Sequence, residues 1–127
     1  MKKQTNILKK IEKKYDETGS ISDDRILVLK DGKCGFVDLN GDIVVPLIYD
    51  MSDDYSENKT WVTIDNKTGF IDVNGNIIIP IIFDYASAFY EGKADVTIDH
   101  HDFIINEYGL PLVKNKLVIL FNRVFNK

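Results

Sequence analysis

Cysteine is almost absent from this chain of 127 residues: Cys34 stands alone. No intramolecular disulfide can staple the fold, and a lone thiol suits a reducing compartment. Histidine occurs twice, tryptophan once and proline three times, so a metal centre built from several imidazoles has little to draw on. Long apolar runs are missing too. The longest, Ile77 to Phe83 and Leu117 to Phe121, fall far short of the roughly 20 residues a membrane-spanning helix needs. The lysine-rich start is followed by no apolar h-region and no small-residue cleavage site, which argues against a secretory signal. These absences predict a cytoplasmic protein with no membrane partner. What is present is ordinary: 44% hydrophobic and 28% charged residues, enough for one globular domain with its own core rather than extended disorder.

The net charge of −4 conceals a segregation. Residues 1–16 carry six lysines against Glu12 and Asp16, a local +4. Residues 17–112 carry eighteen acids against six bases, a local −12, and residues 113–127 carry four bases and no acid. The middle of the chain is an acidic body, which repels nucleic acid and attracts basic surfaces.

The strongest signal is internal. "DLNGDIVVPLIYD" (Asp38 to Asp50) returns as "DVNGNIIIPIIFD" (Asp72 to Asp84), a shift of 34 residues. Residues 27–60 and 61–94 share 14 identities over 34 positions, and "VTID" at Val62 to Asp65 recurs at Val96 to Asp99 in a partial third copy. A fixed period of this size marks a repeat architecture. The expected organisation is one domain: a helix over 1–16, repeats over 27–60 and 61–94, a partial repeat over 95–113, and a cap over 114–127.

Within a repeat, Val62-Thr63-Ile64 is short, β-branched and bounded by turn residues, so it predicts a strand. Phe70-Ile71 leads to Asn74-Gly75, which suits a two-residue hairpin with positive φ at both central positions. Asn76 to Ile79 returns as the next strand, and Pro80, lacking an N–H, is expected to end its ladder. Asp84 to Gly92 is expected to cross over, with one helical turn around Ala86 to Phe89. The fold class is therefore mainly β: three-stranded antiparallel meanders that must stack to bury their faces. At the start, Ile7, Leu8, Ile11 and Tyr15 form one helical stripe that would cap the array. At the end, "KLVILFNRVF" fits a helix or a strand, with its β-branched residues favouring a strand.

The pattern G-F-(Val/Ile)-D-x-N-G-x-I-(Val/Ile)-(Val/Ile)-P-x-I-(Tyr/Phe)-D, continued by Phe89, Glu91-Gly92 and Ala94, resembles the WG-repeat family of bacterial proteins over roughly residues 27 to 113. The naming dipeptide is altered: Trp-Gly is here Cys34-Gly35 and Thr68-Gly69, and the third copy has Asp102-Phe103. The resemblance implies a β-rich repeat fold with an interaction role. It brings no catalytic residues and no cofactor.

The chemistry-bearing residues read mostly as structure. His100-His101-Asp102 replaces a turn, and no third histidine completes a metal set. Asp38 to Asp42 resembles half a calcium loop without its closing glutamate, and its side chains suit bonding of the hairpin's own amides. Cys34 has only Lys33 nearby to activate it. No nucleophile–base–acid spacing or phosphate loop occurs, so the chain is not read as an enzyme. The informative difference lies between the two linkers: Asp53 and Asp54 stand where the next copy has Ser87 and Ala88. This predicts an acidic contact patch of Asp50, Asp53, Asp54 and Glu57, with Trp61 as a possible aromatic anchor. The expected function is that of a monomeric inhibitor, such as an immunity protein that blocks the active site of a basic toxin, for instance a nuclease. The alternative is a generic repeat scaffold or ligand-binding module.

Overall fold

A computed structural model describes residues 2–112. The C-terminal segment 114–127, expected to be a cap and to favour a strand, lies outside the described residues. One helix, α1 (Lys2–Glu12), precedes eleven strands. β1 (Glu17–Ser22), β2 (Arg25–Lys30), β3 (Lys33–Val37) and β4 (Ile43–Tyr49) make the first sheet in that order. β5 (Met51–Ser52), β6 (Lys59–Ile64), β7 (Lys67–Asp72) and β8 (Ile77–Phe83) make the second. β9 (Tyr85–Ala86), β10 (Lys93–Ile98) and β11 (His101–Asn106) make the third. All pairings are antiparallel.

The sheets stack in series, with an apolar layer at each junction. Ile7, Ile11 and Tyr15 pack on Ile26, Val28 and Val37 of the first sheet, so the helical stripe caps that end. Cys34, Phe36, Val45 and Tyr49 of the first sheet meet Tyr55, Val62 and Ile71. Phe70, Ile79 and Phe83 of the second meet Ala86, Phe89, Val96, Phe103 and Ile105. One ring pair recurs at each sheet–sheet junction: Phe36 and Tyr55 at 4.6 Å, Phe70 and Phe89 at 4.8 Å. Each such pair adds on the order of 1 kcal/mol beyond its buried area.

Four expectations change. The meander gains a fourth strand, because the linker's first residues pair back as β5 on β6 and β9 on β10. The helical turn around Ala86 to Phe89 is absent: the Asp84 and Ser87 amides donate to Thr97 O and Asp95 O at 2.8 Å each, and amides committed across to β10 cannot close a helical turn. Pro80 does not end its strand. Thr68 pairs with Phe83 and Phe70 with Ile79, so the single intervening residue of β7, Gly69, faces three of β8, and the proline sits in a bulge that needs no ladder donor. The same bulge holds Pro46 in β4.

Gly69 faces this bulge. A Cβ there would lie 2.6 Å from Ile81 Cα and 2.7 Å from Ile79 O; at Gly35 it would lie 2.3 Å from Val45 O. The glycine of the altered dipeptide is required by backbone approach, whatever precedes it.

The fourth change is the Asn-Gly turn. Only the glycines have positive φ, +87° at both Gly41 and Gly75. Gly75 N–H donates to Asp72 O at 3.0 Å and Asp72 N–H to Asn76 O at 2.9 Å, a three-residue loop closed by a glycine bulge. Asp72 Oδ1 accepts the Asn74 and Asn76 amides at 2.9 Å each, which holds Asn74 out of the left-handed region. Asp38 and Asn106 do the same in the other copies. The two-residue turns with positive φ at both positions lie elsewhere: Asp23-Asp24, Asp31-Gly32, Glu57-Asn58, Asp65-Asn66, Glu91-Gly92 and Asp99-His100.

Candidate interaction site

The expected acidic patch is taken up by the scaffold. Asp50, at the end of the repeated motif, forms an ion pair with Lys33 and accepts the Asp65 amide at 3.0 Å. Asp84 repeats this with Lys67 and the Asp99 amide, and Asp16 accepts the Asp31 amide. The closing aspartate of each copy thus ties down the hairpin turn of the next. The Lys33 ammonium and the Asp65 amide hold the Asp50 carboxyl below the usual range, and Lys67 and the Asp99 amide do so for Asp84.

Glu57 serves a second ladder. Its Oε1 accepts the Gly92 amide at 2.8 Å, as Asp23 Oδ2 accepts the Asn58 amide at 2.8 Å one repeat earlier. Both carboxylates thus reach the following turn, across 35 residues. Asp54 is half-buried beside β1, where burial raises its pKa against the Ser20 amide, which lowers it. Asp53 is exposed, and its Oδ1 accepts only the neighbouring Asp54 amide among the described residues. Asp50 and Glu57 flank opposite ends of β6, on the order of 15 Å apart at strand rise. The four carboxylates do not form one patch.

Trp61 is half-buried on β6, opposite Phe70, and packs against the core between the second and third sheets. It lines a concavity of about 340 Å³ with Met51, Thr63, Asn66, Thr68, Asp84, Tyr85 and Ala86. Thr68, at the position of the family's tryptophan, exchanges a 2.9 Å hydrogen bond with Thr63.

Nothing in the sequence singles out the outer face of the third sheet. Positions 27, 61 and 95 read Leu, Trp, Asp, and positions 36, 70 and 104 read Phe, Phe, Ile. In the first two sheets these side chains face the next sheet; in the third, Asp95 and Ile104 are exposed. They line a second concavity, about 490 Å³, with Tyr85, Thr97 and Asp102. Alternation along β10 and β11 is legible in the sequence, but that no described sheet follows is not.

The other candidate groups lie apart from these concavities. Cys34 is buried and its thiol is pushed up to about 11 by burial and Asp50, against Lys33, so it is no ready nucleophile. His100 sits in a two-residue turn and His101 opens β11. Among the described residues no three His, Cys, Asp or Glu side chains gather to hold a metal ion, and no helix is long and apolar enough to cross a membrane.

No curated protein and no solved structure matches the chain significantly. The family described as "WG containing repeat" matches three times in tandem, over residues 10–34, 35–67 and 69–99. Two of these matches open at Gly35 and Gly69, the glycines that lie under the bulges. The matches cover well over half of the sequence, and the chain belongs to the WG-repeat family.

Proposed function

We propose that the chain is a non-catalytic protein-binding module that recognises a basic protein partner. The supporting observation is the acidic repeat body, eighteen acids against six bases over residues 17–112, carried on a stacked scaffold. A field of that sign accelerates encounter with a basic surface and discriminates against acidic ones. The finer form is an inhibitor: a cytosolic immunity protein that occludes the active site of a basic toxin such as a nuclease, with no turnover and no cofactor. The charge balance favours it, since a nuclease cleft built for phosphate also accepts carboxylates. Purification alongside the product of a neighbouring gene, at rising salt, tests the proposal. A stoichiometric complex that weakens with salt and abolishes the partner's activity supports the inhibitor. A salt-sensitive complex that leaves activity intact reduces it to a scaffold for basic proteins. Binding indifferent to salt, or to acidic partners only, sinks the basic-partner reading.

A further inference from the structure

Three concavities run together from the junction of the second and third sheets onto the outer face of the third. The one holding Trp61, Met51 and Asp84 shares Tyr85 with the one holding Asp95, Asp102 and Ile104. That one shares Asp95 and Ile104 with a third, about 250 Å³, beside Tyr90. The apolar members are open to solvent: Tyr85 is 57% exposed, Ile104 43% and Tyr90 75%. Exposed apolar side chains gathered in a trough, rather than scattered, mark an interaction surface. From Tyr85 to Ile104 the trough occupies the face that receives the following sheet in the first two copies. Its chemistry is altered, with Asp95 where Leu27 and Trp61 stand and Asp102 where Cys34 and Thr68 stand. A further apolar sheet would strand both carboxylates; a cationic, half-apolar partner would not.

We propose that this outer face of the third sheet docks a lysine- and arginine-rich amphipathic segment of a protein partner. Tyr85 and Ile104 on that face, with Trp61 in the adjoining concavity at the junction of the second and third sheets, take its apolar side chains, and Asp95 and Asp102 take its cations. The Trp61 and Tyr85 rings suit a lysine or arginine stem, whose aliphatic part lies on the ring while the charge reaches a carboxylate. Asp102 Oδ1 already accepts a hydrogen bond from Thr97 Oγ1 at 2.7 Å, which restrains the carboxylate on this face. The inference rests on the basic-partner reading above and adds where the partner sits.

The test uses the full chain and a synthetic peptide alternating lysine and leucine. Trp61 is the only tryptophan, so its emission reports on the trough. Backbone amide shifts should move at Tyr85, Asp95, Asp102 and Ile104 and stay still in the first sheet. Asp95→Lys with Asp102→Lys should weaken binding on the order of tenfold or more, Ile104→Ser should weaken it less, and Asp42→Lys on the first hairpin should leave it unchanged. Circular dichroism confirms that each variant folds. Binding that is salt-sensitive yet equally affected by Asp42→Lys overturns this docking face while leaving the basic-partner reading intact. Failure to bind the peptide, together with binding of its glutamate–leucine counterpart, overturns both. In the full chain, Lys114, Lys116 and Arg123 are also changed to Glu. If only that variant binds the peptide, the occupant is the chain's own residues 113–127, and the partner assignment falls.

Discussion

The second and third sheets share a register of 34 residues yet close their layers differently. In the second, Gly69 leaves room for the β8 bulge to lie across the face toward the first sheet, and Ile81 of that bulge packs there. In the third, the corresponding residue is Phe103, whose side chain joins the core between the second and third sheets. One copy fills the space with backbone from a bulged strand and the other with an aromatic ring. A repeat can therefore lose its signature glycine and keep its packing, provided that volume is conserved.

The largest break in this comparison is Phe103→Ala. It removes a ring 4% exposed and should cost about 4 kcal/mol in denaturant unfolding. Gly69→Ala comes next, at about 2–3 kcal/mol, since the added methyl meets backbone at 2.6 Å rather than a yielding side chain. A neutral result at Gly69 would mean that the bulge does not lie over it. Tyr55→Phe turns the second sheet's ring into the third's, Phe89. It deletes the 2.6 Å bond from the hydroxyl to Asp72 O and should cost about 1 kcal/mol.

Smaller effects sharpen the turn ladder. Glu57 and Glu91 both sit at positive φ, +55° and +51°, a conformation that strains a glutamate. Glu57 is compensated by its bond to the Gly92 amide; Glu91 has no such partner among the described residues. Glu91→Gly should then stabilise by about 0.5–1 kcal/mol while Glu57→Gly stays near neutral. Equal gains at both sites would show that the inter-repeat bond contributes nothing.

The weakest expected effect is on acid stability. The Asp50 and Asp84 carboxyls are held below their ordinary 3.8. A depressed folded value means that the stabilisation is fully present above about 3.8 and is lost as pH falls through the lower folded value. Asp50→Asn and Asp84→Asn should each flatten the decline in melting temperature below pH 4 and leave its shape near neutral pH unchanged. Both groups lie near the surface, so salt should reduce the difference.

The turns show how far the sequence could be read. Asn74-Gly75 carries the familiar hairpin signature, yet it forms a three-residue loop, because Asp72 two positions earlier captures the Asn74 and Asn76 amides. The two-residue turns fell instead on pairs such as Glu57-Asn58, which a residue-by-residue preference would pass over. The acidic cluster around Asp50 to Glu57 looked like a site because sequence proximity suggests spatial proximity. The linker between them runs along β6, from its Thr63 end to its Lys59 end, and so carries Asp50 and Glu57 apart.

The sequence by itself determined the period, the β class, the capping stripe of Ile7, Ile11 and Tyr15, and the membership that the repeated Gly-Phe, Asn-Gly and Pro positions imply. Those features are local or periodic, and periodicity survives in one dimension. Only the tertiary structure decided what each conserved-looking acid does, because the partners of Asp23, Asp50 and Glu57 lie 15 to 35 residues away. It also decided that the linker adds a strand and that Asp95 and Ile104 face outward. Which face of a sheet is covered depends on whether another layer follows it, and a strand's own alternation holds no record of that.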